Sequence, residues 1–145
     1  MIGVVTWMVA VVLLMLSGIH LYWLLGGQKG HEAVIPTSGA GADPLFQPSK
    51  FATGFVMILL AVAAWFVLEL GGVIEVLFPD LLITYGGWLL SAMFILRAIG
   101  DFRWLGLFKS RKGSVFARWD SLLYSRLCLL LGAAILFLEK AKVFV

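Results

Sequence analysis

Four apolar stretches, each close to the length needed to cross a lipid hydrocarbon core, take up most of this 145-residue chain. They cover about residues 2–25, 51–70, 81–100 and 121–138. About 20 helical residues reach across such a core, because each advances the helix by about 1.5 Å. Lipid supplies no hydrogen-bond partners, so each spanning segment must satisfy its own backbone N–H and C=O groups. The fold class that follows is all-α: an integral membrane four-helix up-down bundle.

Composition supports that solvent. Hydrophobic residues make up 62% of the chain, charged residues 13%, and mean hydropathy is +1.04, values that would leave a water-soluble domain covered in apolar patches. Residues 1–145 therefore read as a single transmembrane domain, with a long loop at 26–50 and a basic loop at 101–120. No Lys or Arg precedes the first apolar run and no A-x-A site follows it, so the run is expected as a retained helix and not a cleaved signal peptide. Three of the four prolines, Pro36, Pro44 and Pro48, fall in the long loop, where regular structure is not expected. Its apolar islands at 33–35 and 45–46 point to a loop that folds back onto the bundle or the membrane surface. Residues 70–80 leave room for an interfacial helix.

The net charge of +3 sits mainly beside the spans, so it speaks for topology and anionic headgroups and against nucleic-acid binding. Lys29, Lys50, Arg103, Lys109, Arg111, Lys112 and Arg118 flank one side of the spans, against Lys140 and Lys142 on the other. Since Lys and Arg resist translocation, that bias places both termini outside and both longer loops in the cytoplasm. Trp23, Trp104 and Trp119 fall near the cytoplasmic boundary and Trp7, Trp65 and Trp88 towards the other half, as interfacial anchors do. Cys128 lies alone in a leucine-rich span and reads as a small buried apolar side chain.

Ionisable residues gather towards one end. His20 lies inside the first span, about five residues before its end, with Tyr22 and Trp23 beside it. Arg97 lies about one turn before the end of the third span, with Asp101 at i+4 on the same face. Asp120 opens the fourth span, with Tyr124 at i+4. An intramembrane charge is costly, about 2.5–3.5 kcal/mol at mid-bilayer on insertion scales, and is tolerated when paired. In an antiparallel bundle these side chains share one depth, so His20, Tyr22, Trp23, Arg97, Asp101, Asp120 and Tyr124 form the candidate ligand-binding set. The bland reading is at least as strong: Asp120 as a helix N-cap, Arg97 reaching to headgroups or fixing helix register with Asp101. Glu69 and Glu139, at the far ends of the second and fourth spans, read as interfacial, with proton or cation entry as the minor reading. Gly87 with Ser91, and Cys128 with Gly132, have the spacing that lets helices approach closely.

No phosphate-binding glycine loop, nucleophile elbow, H-E-x-x-H motif or second intramembrane histidine for bis-imidazole haem is present, and no cofactor or metal is expected. The segments His20-Leu-Tyr22-Trp23 with Gly26-Gly27, Arg97-Ala-Ile-Gly100-Asp101-Phe102, Phe116-Ala-Arg118-Trp119-Asp120 and Tyr124-Ser125 resemble a family of small bacterial four-span membrane proteins catalogued as a domain of unknown function. The resemblance covers nearly the whole chain. It implies a bacterial membrane protein of this size and no particular activity. A proline commonly follows the Tyr-Ser pair in that pattern, where this chain has Arg126, so Arg126 is set aside.

Three functional readings follow. The leading one is a membrane protein that binds an amphipathic or anionic small ligand, such as a lipid headgroup, in a polar pocket at the cytoplasmic leaflet. The second is an intramembrane enzyme acting on a lipophilic substrate, with His20 as general acid or base oriented by Asp101 or Asp120. The third is a structural or accessory subunit of a membrane complex. Membrane lipids and a small amphipathic ligand are the partners to look for, together with further copies of the chain.

Overall fold

The computed structural model describes residues 1–30, 35, 48–75, 77–100 and 118–142. Among them the chain forms four long helices and no strand: α1 (Ile2–Leu24), α2 (Lys50–Leu70), α3 (Asp80–Ile99) and α4 (Ser125–Lys142). A π-helical turn, Asp120–Tyr124, leads into α4 without a break. Each of the four is long and apolar enough to cross a membrane. The observed bounds differ from the sequence reading by a residue or two, except that the last span continues through Glu139 to Lys142.

Glycine and serine set the ends. At α1 the Gly26 N–H bonds to the Trp23 carbonyl at 3.0 Å and the Gly27 N–H to the Tyr22 carbonyl at 2.9 Å. Gly26 has φ +100°, the left-handed backbone such a C-terminal stop requires. The same pair of bonds recurs after α2, from Gly72 to Glu69 (2.9 Å) and from Val73 to Leu68 (2.9 Å), with Gly72 at φ +67°. α2 starts where the Ser49 hydroxyl accepts from the Ala52 N–H at 3.1 Å, a side-chain N-cap that follows Pro48.

Two antiparallel helix pairs make up the molecule. In the first, the Ser17 hydroxyl of α1 donates to the Met57 carbonyl of α2 at 2.8 Å, and Thr6 lies against Gly71. In the second, the Ser91 hydroxyl of α3 donates to the Gly132 carbonyl of α4 at 2.7 Å. A Cβ at Gly132 would stand 3.1 Å from the Ser91 carbonyl oxygen and 3.2 Å from the Ile95 nitrogen, so the backbones of α3 and α4 meet across a gap only glycine leaves open. The pairs join through a core of Val9, Ala10, Leu13, Phe66, Val67, Leu70, Leu131, Ile135 and Leu138.

The link between α2 and α3 contains no helix among its described residues, contrary to the interfacial helix the sequence allowed. The reason is Glu69. Its carboxylate accepts the N–H groups of Leu77 (2.9 Å) and Phe78 (3.2 Å), strapping the link back onto α2, and Phe78 packs edge-on against Phe66 at 5.6 Å. Glu69 is buried (8% exposed), as is Glu139 (3%), each packed against its neighbours near the end of its helix.

Elsewhere the surface is apolar. Only 17–28% of the most apolar window of each span is buried within the chain, so the remaining faces require lipid or another copy as solvent. Trp7, Trp65, Trp88 and Trp119 are all exposed, as anchoring aromatics are, while Trp104 lies outside the described residues. In the long loop Ile35 is buried, and the rest of both apolar islands lies outside the described residues.

A candidate polar site at the α3–α4 ion pair

Arg97 and Asp120 meet. The Arg97 Nη2 donates to Asp120 Oδ1 at 3.0 Å, joining the last turn of α3 to the π turn that opens α4. Asp120 is fully buried, while the Arg97 side chain keeps 35% of its surface exposed. The pair therefore has a buried end and an exposed end. A charge-assisted bond of this kind offsets the cost of burying the carboxylate, and the exposed part of the guanidinium can reach the membrane surface.

The structure departs here from the sequence reading in two ways. Asp120 is not a helix N-cap, because Arg118 and Trp119 are already helical and Asp120 lies within the turn. Arg97 reaches a carboxylate on another helix, an arrangement that i+4 spacing does not reveal; Asp101 lies outside the described residues. The π turn matters as well. Its backbone bonds close from i to i+5, so the Ser125 N–H bonds to the Asp120 carbonyl and Ser125, not Tyr124, lies one turn beyond Asp120. Ser125 is fully buried, a residue that neither spacing nor charge singled out. Tyr124 is partly buried and within the electrostatic reach of Asp120. Cys128, also partly buried, feels both Arg97 and Asp120. Arg126 is exposed.

Two polar atoms beside the pair are buried and have no hydrogen-bond partner: Arg97 Nη1 and Ser125 Oγ. Unsatisfied buried donors are uncommon in folded proteins and call for an explanation.

The first helix contributes differently. The His20 Nδ1 donates to the Leu16 carbonyl at 2.8 Å, since a carbonyl oxygen can only accept, and the ring stands edge-on to Trp23 at 5.1 Å. Among the described residues no hydrogen bond joins His20 to Arg97 or Asp120. Tyr22 lies across Gly27, filling the space a side chain there would need, and Trp23 Nε1 donates to the Lys29 carbonyl at 3.1 Å. These two aromatics hold the turn that closes α1. Among the described residues no group of three or more His, Cys, Asp or Glu side chains has the arrangement to hold a metal ion.

Four bilayer-length helices, packed through small residues and tied by a buried ion pair, define a multi-pass membrane protein of the helical-bundle class. Within that class, the chain belongs to the family described as protein of unknown function (DUF3995), whose model matches residues 13–135. No curated protein and no solved structure matches the chain.

Proposed function

We propose that this protein binds an anionic, amphipathic ligand of the lipid-headgroup type at the cytoplasmic leaflet of a bacterial inner membrane, with Arg97 as the principal donor. The observation that carries the reading is the pair of unpartnered buried polar atoms, Arg97 Nη1 and Ser125 Oγ, next to a guanidinium already anchored by Asp120. Asp120 fixes the Arg97 fork in place with one nitrogen and leaves the other for an incoming oxygen. A preset donor in a low-dielectric setting binds an anion more strongly than a mobile surface lysine would. A headgroup would approach along the exposed part of the Arg97 side chain and reach the buried Nη1 by local opening of the site, its acyl chains lying along the exposed apolar faces of α3 and α4.

The variant to use is Arg97→Lys combined with Ser125→Ala. Replacing Arg97 with Leu would strand the buried Asp120 charge and confuse unfolding with loss of binding. Lysine retains a cation for Asp120 but removes the second arm of the fork. Native mass spectrometry after exchange into vesicles of phosphatidylglycerol or phosphatidylcholine reads the outcome. Wild-type protein should retain the anionic lipid in preference to the zwitterionic one, and the double variant should lose that preference about tenfold. Equal retention of phosphatidylglycerol by both proteins refutes the proposal.

A further inference from the structure

At the other end of the α3–α4 pair lies a second polar group that the ion pair does not use. Glu139 is 3% exposed, one turn before the end of α4, and its Oε2 is buried with no hydrogen-bond partner. The carboxyl group projects into the notch left by Gly87 of α3, where a Cβ would stand 2.9 Å from Glu139 Cδ and 3.2 Å from Leu70 Cδ2. Glycine at 87 thus makes room for the carboxyl group between α3 and α4, with Leu70 of α2 closing one side.

Charged and titratable groups around it are few. On α4, Lys142 acts on Glu139 electrostatically, but its Nζ is engaged with the Ile83 carbonyl at 3.1 Å, and Lys140 is exposed. On α2, Glu69 is committed to the Leu77 and Phe78 N–H groups. On α3, Asp80 and Tyr85 are exposed. α1 brings Thr6, whose hydroxyl is spent on the Ile2 carbonyl. An ionised carboxylate in that notch would have a bare oxygen facing glycine and leucine, a costly arrangement. A metal cation would need about six oxygen ligands, and no acidic or histidine cluster able to hold one occurs among the described residues. A proton needs only the carboxyl group itself.

We infer that Glu139 is a proton-binding site, holding its proton inside the bundle at the Gly87 notch, within a side-chain length of the aqueous surface at the end of α4. The site is independent of the anion site at Arg97, and each fails or stands alone. Binding a proton there removes a buried carboxylate charge between α3 and α4 at this end, and releasing it restores that charge against Gly87 and Leu70.

Dicyclohexylcarbodiimide, an apolar reagent that adds to unionised carboxyl groups, tests this on the full-length protein in liposomes. Peptide mass spectrometry at neutral pH should find one principal adduct at Glu139, absent from Glu139→Gln and weaker as pH is raised, with Glu75 and Asp80 as solvent-exposed controls. Glutamine keeps the shape of the protonated acid, so the variant folds as a neutral mimic. As a second readout, the infrared difference spectrum of wild type minus Glu139→Gln should carry the carbonyl stretch of an unionised carboxylic acid. Absence of that band, or labelling that persists in Glu139→Gln, overturns the inference.

Discussion

At the residue scale, Asp120 is the side chain whose environment most constrains it. It has no exposed surface and an ion-pair partner on a different helix, so removing Arg97 takes away a cation that offsets a buried charge. Replacing Arg97 or Asp120 singly with Leu should each destabilise the protein by about 3–5 kcal/mol, while replacing both should restore most of that loss, because two apolar side chains need no partner. A double-mutant cycle measured by unfolding in mixed micelles checks this. Additive losses would mean that Arg97 and Asp120 do not act as a pair. The spacing of Arg97 and Asp120 along the chain says nothing of their meeting, which depends on how far α4 slides along α3. Ser125 was hidden for a related reason: a serine carries no signal in a sequence until the π turn puts it beneath Asp120.

At the scale of elements, the seam between α3 and α4 is built on Gly87, Ser91 and Gly132. Their small size lets a side-chain hydroxyl reach a backbone carbonyl across the interface and leaves a notch for Glu139. Gly132→Ala should force the helices apart, since the added methyl group would lie 2.7 Å from Ile95 Cγ1 and close to the α3 backbone. The expected cost is about 1–3 kcal/mol. Alanine is the better helix former of the two, so a loss of stability reports packing and not helix propensity. Thermal unfolding in detergent of Gly132→Ala against a surface control such as Leu130→Ala measures it; equal midpoints would show that the seam tolerates a wider gap. The spacing of these small residues did announce a close helix contact in the sequence, whereas the partner each one meets did not.

For the whole molecule, the apolar faces outside the core need a membrane, and the loop charges choose how it sits in one. With Lys29 exposed after α1 and Lys140 exposed at the end of α4, impermeant maleimide labelling of Lys29→Cys and Lys140→Cys in a Cys128→Ala background separates the two orientations. Lys140→Cys should react in intact cells, and Lys29→Cys only after permeabilisation. The opposite pattern would place the anion site proposed at Arg97 in the outer leaflet.

The amino-acid order alone settled that the chain is helical and made of four membrane-length segments, because apolar length and backbone self-sufficiency in lipid leave no other regular structure. It also marked the acidic and basic residues worth watching. Which of those residues touch was a matter of how the helices pack. Sliding or turning a helix by a few residues costs the sequence pattern nothing, yet it decides that Arg97 finds Asp120, that Glu139 sinks into the Gly87 notch, and that His20 turns to its own helix.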